Sequence, residues 1–472
     1  MTEQEFRRKK YGPMEMIPSS YQGGNCPFPF IDRPSPKNRS EVAIIRCTHY
    51  TQAEDSIREA VHLLGGVDRF CKPKDIVIIK PNLVFAAPWE VAETTHPNIV
   101  AAVVKILKEA GAVVKILERP AFNAPSIVVY KSTGIAEAAK EAGVDELLEW
   151  EKEEYIETKV PNPRSFASVK IPKSILDADV FVDIPKLKNN YVLGSGALTL
   201  SLKSKLGLIP QEDREPIHRT PIDMAAGCVD IAKAIRNKDR LTIVDGVYAM
   251  EGATHYGTVC KPGIVVASPD PVAVEAVCHA VVGYHPLESP AVQLAMKDGL
   301  GTGDLAEIEI LGERLQDVHF PFVRSMNRYV QKYTNVKEFF GGTCHACLMA
   351  MMAVPPVVDP EKRYAVVSGT RAMVAEPLTD YDEVYLVGLC ACAPDHQLPG
   401  FMEKINEAKQ VIKMASCPGH ETIHKRKWGG IYDARMLLSV DMTAGFSLPE
   451  TIRPSILQSV YDRREGKQTK LE

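Results

Sequence analysis

The sequence predicts an α/β protein, an open, mostly parallel, doubly wound sheet with helices on both faces, followed by a second, smaller α/β C-terminal domain. Three observations carry this expectation. Apolar runs of strand length recur along the chain, helical stripes that stop at glycine alternate with them, and three further apolar runs follow residue 317. With 472 residues, and about 150 residues per domain as a guide, several domains fit.

The first 40 residues hold Pro13, Pro18, Pro27, Pro29, Pro34 and Pro36 among charged residues, which makes an irregular arm. Residues 41–46 read as a strand. Thr51 to Glu54 then fits a capping box for a helix that carries Ile57, Val61 and Leu64 and stops at Gly65-Gly66. A second strand is expected at 75–79. The segment after Pro97, NIVAAVVKILKEAG, has a helical apolar stripe ending at Gly111, just before the strand-like AVVKILE. This is a β-α-β-α-β pattern. Beyond the charged stretch at 146–157, apolar runs return at 179–184, 241–244 and 263–267, the last leading through Ser268-Pro-Asp-Pro into a helix. Continuously apolar strands belong to a parallel sheet covered on both faces, whose binding crevice lies beyond the carboxyl ends of the strands. The later runs, 364–368, 383–389 and 411–415, define the smaller domain. The expected divisions are an arm (1–40), a main domain (41–316), a smaller domain (317–448) and a tail (449–472).

A content of 45% hydrophobic and 25% charged residues excludes disordered, collagenous and small disulfide-scaffold classes. The balance of 56 basic against 60 acidic residues, net −4, gives no global pull toward nucleic acid or an anionic membrane, and neither partner is expected. No run approaches the roughly 18 apolar residues of a spanning helix, and MTEQEFRRKKYGP lacks the apolar stretch of a secretory signal. A cytoplasmic location is therefore expected, in which the 11 cysteines serve as core residues, metal ligands or reactive thiols rather than disulfides. Phosphate-binding G-x-x-x-x-G-K-[ST], a G-x-G-x-x-G between strand and helix, and a G-x-S-x-G elbow are all missing, which argues against nucleotide binding and serine-hydrolase chemistry.

The expected strand ends are polar. They lead into Cys47-Thr48-His49, Lys80-Pro81-Asn82, Pro185-Lys186-Leu187-Lys188-Asn189, Asp245-Gly246 with Glu251 nearby, and Ser268 with Asp270. Gly194-Ser195-Gly196 and then Ser201, Lys203, Ser204, Lys205 and Gly207 add flexible backbone and more cations. Together these residues predict a crevice in which Lys80, Lys186, Lys188 and Lys203 hold a small carboxylate or phosphate. The expected catalytic set is Lys80, Lys186, Asp245 and Glu251, with Asp245, Glu251 or a histidine moving a proton. Asn82, His96, Lys188, Asn189, Lys203 and His218 form the expected substrate-binding set. Taken singly, such residues more often read as solvated loops, and His96 before Pro97 and His218 beside Arg219 more often as helix-start and surface groups than as catalytic ones.

Cysteines gather in the last third. Cys344-His-Ala-Cys347 precedes an apolar stretch, Cys390-Ala-Cys392 follows one strand-like run, and Cys417-Pro418 follows another. A C-x-x-C plus one cysteine from each strand end supplies four soft ligands, here Cys344, Cys347, Cys392 and Cys417, with Cys390 as the alternate. Four thiolates suit a [4Fe–4S] cluster or zinc. A zinc site joins close pairs, whereas roughly 43 residues separate Cys347 from Cys390.

The motifs KPNLV (80–84), HP (96–97), DIPKLK (183–188), SLKSKLGLIP (201–210) and ASPDPVAVEA (267–276) resemble the domain-of-unknown-function family 362, DUF362, over about residues 41–310. The resemblance implies an iron–sulfur association without a general reaction, and it tips the cysteine set toward a [4Fe–4S] cluster, with zinc as the alternative. The ferredoxin-like four-cysteine run that members often carry is absent from this sequence. The expected function is that of an iron–sulfur oxidoreductase of an anaerobic metabolism acting on a small anionic metabolite, served by a redox partner protein. The alternatives are a Lewis-acid lyase or isomerase with an open cluster iron, and an electron-transfer or cluster-carrying partner protein.

Overall fold

The computed structural model describes residues 40–414 apart from 85, 87–88, 121–124, 190–192, 194–196, 215–216, 218–220, 253–257, 323–334, 341–358, 360, 370–371, 373 and 375. A large sheet is built from β1 (Ser40–Arg46), β2 (Ile76–Pro81), β3 (Val113–Ile116), β4 (Glu146–Leu147), β7 (Val180–Ile184), β9 (Asp239–Glu251), β11 (Ile264–Ser268) and β12 (Ile308–Gly312). Their order is β12-β1-β11-β9-β7-β2-β3-β4, with β8 (Lys186–Lys188) and β10 (Thr258–Cys260) paired to β9. A separate hairpin joins β5 (Tyr155–Lys159) to β6 (Ser168–Pro172).

The alternation of each strand assigns its two faces. In β2, Val77 and Ile79 pack with α1 (Ala53–Leu63), α2 (Pro97–Glu109) and α3 (Ile135–Glu141), whereas Ile78 packs with α4 (Pro221–Ala234) and α6 (Pro290–Lys297). Helix α5 (Pro271–Val281) covers Val42, Ile44, Val244 and Val266 on this second face. The sheet is thus doubly wound and mostly parallel, as the apolar runs predict. The chain proceeds outward from β2 to β3 and β4, then returns through the β5–β6 hairpin to lay β7 against the other side of β2. The carboxyl ends of β2 and β7 therefore flank a topological switch point.

Two local expectations are corrected. Strand β11 is antiparallel to both β1 and β9, so Ser268 and Asp270 lie at the opposite edge of the sheet from the other polar strand ends. Asp270 there caps α5, accepting from the N–H groups of Val272 (2.8 Å) and Ala273 (3.0 Å). The capping box at the start of α1 falls earlier than Thr51 to Glu54: His49 accepts from the Thr51 N–H and Gln52 reaches back, capping a short 3-10 turn that runs into α1. The core of the large sheet extends to Val318, Phe320 and Phe322.

The smaller sheet holds β13 (Val336–Phe340), β14 (Tyr364–Ser368), β15 (Glu383–Val387) and β16 (Val411–Met414), all parallel and in that order. Its core gathers Ala365, Val367, Val384, Leu386, Phe401 and Ile405. Strand β13 escapes sequence reading because Lys337 and Glu338 interrupt its apolar pattern. Among the described residues, no helix is long and apolar enough to cross a membrane.

Candidate active site at the strand ends

Lys80 in β2 and Asp183 in β7 are register partners at the switch point, and both side chains are buried. Burying a lone charge is costly, so each must find an opposite. Lys80 pairs with Glu118, two residues past β3. Its ammonium also donates to the Ser204 hydroxyl (3.1 Å), which in turn donates to Asp183 (2.8 Å). Lys205 lies 3.7 Å from Asp183 and 3.0 Å from Asp239, and donates to the Ser201 hydroxyl at 2.8 Å. The result is a continuous buried chain of alternating charge, Glu118–Lys80–Ser204–Asp183–Lys205–Asp239. Burial pushes the Glu118 and Asp183 carboxyls up, against the pull of Lys80 on the first and of Lys205 and Lys80 on the second. Gly207 packs directly on this chain: a Cβ there would stand 2.5 Å from Glu118 Oε1 and 2.9 Å from Lys80 Cε.

A second buried group forms near the start of α2. Asp245 accepts from Lys186 Nζ (2.9 Å), the Tyr50 hydroxyl (3.1 Å), the His96 backbone N–H (2.9 Å) and the Val247 N–H (3.3 Å). Lys186 Nζ also lies 2.8 Å from the Tyr50 hydroxyl. Burial pushes Lys186 down despite Asp245, and burial together with Asp245 holds the Tyr50 phenol well above its ordinary value. The His96 ring stacks on Tyr50 with centroids 3.5 Å apart, and Trp89 meets both rings edge-on. His96 Nδ1 accepts from the Asn98 N–H, so this histidine caps α2, in keeping with the helix-start reading.

Lys188 stands between the two groups. Its ammonium donates to the Glu93 carbonyl at 2.9 Å and makes no ion pair among the described residues. Burial, reinforced by Lys203 and Lys186 and opposed by Glu93, pushes it down to about 7. Lys203, partly exposed, is pushed down to about 8 by burial, with Arg214 and Lys80 acting in the same sense. Of the four lysines expected to meet an anion, Lys80 and Lys186 are thus committed to carboxylates, whereas Lys188 and Lys203 have no carboxylate partner among the described residues.

The other expected residues take varied places. Asn82 donates to the Glu93 carbonyl (2.6 Å), while its own N–H donates to Thr95, whose hydroxyl donates to the Ile184 carbonyl and ties the ends of β2 and β7 together. Asn189 donates to the Tyr284 hydroxyl (2.9 Å). Glu251 is buried at the end of β9, opposite Thr258. His218, Cys344, Cys347 and Cys417 lie outside the described residues. Cys390 and Cys392 occupy a single helical turn just after β15. Both are half-buried, and Cys392 packs against the small core with its thiol 3.6 Å from the Leu386 carbonyl. Gln397 donates to the Cys390 carbonyl (2.6 Å) and the Gly369 carbonyl (2.8 Å), joining the turns that follow β15 and β14. Among the described residues, no three His, Cys, Asp or Glu side chains are grouped to hold a metal.

Sequence reading placed Lys205 among the cations near the strand ends without giving it a role, and missed Glu118, Asp183 and Tyr50 as members of the site. Glu118 carried a usable signal, since it is the first charged residue after the apolar end of AVVKILE, the same position that singles out Lys80. Tyr50 and Asp183 carried none, being recognisable only from what they touch.

Comparison with known proteins places residues 77–280 in a match to the family model described as domain of unknown function, DUF362. The chain is also similar to the thylakoid-associated protein sll1697 of Synechocystis sp., 29% identical over 271 residues that cover 55% of this chain and 79% of that one. Among solved structures, the lactate racemase apoprotein from Thermoanaerobacterium thermosaccharolyticum shares 14% identity at a TM-score of 0.33, over 54% of this chain and 60% of that chain.

The buried pair yields a stability prediction. Lys80→Met leaves Glu118 buried without its cation and is expected to lower the unfolding free energy by about 3–5 kcal/mol in urea titrations, whereas Lys80→Met with Glu118→Leu recovers most of the loss. A single variant as stable as the parent protein would contradict the pairing.

Proposed function

We propose, from the premise that residues 77–280 of this chain are a DUF362 domain, that the protein is an enzyme acting on a small anionic metabolite held over the carboxyl ends of β2, β7 and β9. The observation that carries the reading is the pair of lysines, Lys188 and Lys203, set at the switch point without carboxylate partners among the described residues and both pushed toward neutrality. A buried ammonium without a counter-charge is disfavoured, and an anion entering the crevice relieves it. The neighbouring lysines cannot substitute, because Glu118 and Asp245 hold them.

The same arrangement assigns proton transfer. Asp245 takes four donors, so its role is to fix Lys186 and Tyr50 rather than to act as a base. Lys188, near 7, can gain or lose a proton close to neutral pH and is the general acid–base of choice.

The cysteines favour redox chemistry as the reaction type. Cys344 follows the end of β13 by four residues, Cys390 the end of β15 by three and Cys417 the end of β16 by three. Strands β13 and β16 stand three spacings apart, about 14 Å, and extended chains of four and three residues reach about 14 and 10 Å. The sequence spacing therefore allows these thiols to meet at one end of the smaller sheet. The proposed ligands are Cys344, Cys347, Cys417 and Cys390, the last preferred over Cys392 because the Cys392 thiol packs against the small core beside the Leu386 carbonyl. A [4Fe–4S] cluster held there would supply single electrons.

Two measurements test this reading. Sulfate keeps its double charge near neutrality, so its affinity, measured by calorimetry, is expected to fall as pH rises through 7 and 8, by up to about tenfold per unit for each lysine that must stay protonated. Lys188→Gln should abolish the part centred near 7, and a flat profile would argue against the crevice. Protein purified without oxygen should carry about four iron and four sulfide per chain, lost in Cys417→Ala and in Cys390→Ser but kept in Cys392→Ser. Iron-free protein would remove the redox reading and leave the lysine crevice as an acid–base site.

A further inference from the structure

Four lysine side chains are buried among the described residues, and they are not equivalent. Lys80, Lys186 and Lys205 each have a carboxylate within ion-pair distance, which favours the charged ammonium. Lys188 has the Glu93 backbone carbonyl instead, at 2.9 Å. A carbonyl accepts from a neutral amine as well as from an ammonium, so this contact positions the nitrogen without fixing its proton.

The backbone that carries Lys188 is held on both sides. Leu187 packs into the core of the second face, the Lys188 carbonyl accepts from the Thr199 N–H at 2.9 Å, and the Asn189 N–H donates to the Met250 carbonyl at 3.3 Å. The side chain therefore leaves from a fixed strand end. Lys203 comes from a short helical turn, Ser201–Ser204, and is partly exposed where Lys188 is buried. Burial, with Lys203 and Lys186 acting in the same sense, brings Lys188 to about 7, so close to neutral pH about half of the molecules carry the free amine. A desolvated lysine set beside other cations is the form in which this side chain attacks a carbonyl carbon.

We infer that Lys188 is a nucleophile that forms an imine with a small oxo acid, whose carboxylate is held by Lys203 and whose ketone or aldehyde carbon meets Lys188 Nζ. The inference rests on the proposed anion crevice, is independent of the cysteine set, and narrows the substrate to an anion that also carries a carbonyl. Burial sets the orientation: the charged carboxylate stays at the partly exposed lysine, and the neutral carbonyl goes to the dry one. In the step itself a C–N bond forms as Nζ adds to the carbonyl carbon. The C–O bond then breaks, and the oxygen leaves as water with both amine hydrogens, so no oxidant or reductant is consumed. Once protonated, the C=N group draws electrons from the adjacent carbon and eases the loss of a proton there.

The test is reductive trapping on the full chain with pyruvate and sodium cyanoborohydride, read by intact mass and peptide mapping. Lys188 is expected to gain one pyruvate less one oxygen atom at least about tenfold faster than any exposed lysine, whose amine fraction at neutral pH is far smaller. Its labelling should rise about tenfold between pH 6 and 8 and then level off, while exposed lysines keep rising. Pyruvamide keeps the ketone but lacks the charge, and should label Lys188 at least about tenfold more slowly than pyruvate does, a difference that Lys203→Gln largely removes. Lys188→Arg keeps a cation at this position and should lose the fast adduct. Pyruvate that competes with sulfate for the protein yet labels Lys188 no faster than exposed lysines would overturn the imine and leave the crevice intact. Protein that binds neither sulfate nor pyruvate would overturn both.

Discussion

The structure depends on the burial of lysine ammonium groups at the carboxyl ends of neighbouring parallel strands. Each such group must be matched, neutralised or left for a ligand. The fold matches three of them within the chain, Lys80 with Glu118, Lys186 with Asp245, and Lys205 with Asp183 and Asp239. These pairs set the positions of the surrounding loops. Ser204 reaches Lys80 and Asp183 together, Gly207 has to approach the Lys80–Glu118 pair with bare backbone, and the start of α2 offers its N–H to Asp245. Lys188 and Lys203 are the remainder, without a carboxylate partner among the described residues, and burial lowers the affinity of both for protons.

Much of this was legible in the sequence because burial and position leave strong signatures. Continuous apolar runs announced the covered parallel strands, and their polar exits marked Lys80, Lys186 and Asp245, which the structure gathers into buried ion pairs. The direction of a strand is not written in its composition, so 263–267 looked like its neighbours although β11 runs the other way and carries Ser268 and Asp270 to the far edge. Pairings across the sheet were equally hidden. The 38 positions between Lys80 and Glu118 and the 59 between Lys186 and Asp245 follow no period, and only the strand order β9-β7-β2-β3 brings them together.

Both sheets follow one rule. In the large sheet the carboxyl ends of parallel strands carry charge, and in the smaller sheet they lead into cysteines. Rigid strands fix the starting points, and short turns carry the reactive groups, so precision comes from the sheet and chemistry from the exits. Gln397 illustrates the support this needs, a buried-side amide that joins the turns after β14 and β15 through two carbonyls.

The central claim, that the lysine crevice is an anion site, is tested most directly by anomalous diffraction from crystals of the full chain soaked in selenate. The expected result is a selenium peak within hydrogen-bond reach of Lys188 and Lys203 at the ends of β2 and β7, absent from Lys188→Gln crystals. Selenium bound only elsewhere on the protein, with these lysines unoccupied at saturating selenate, would contradict it.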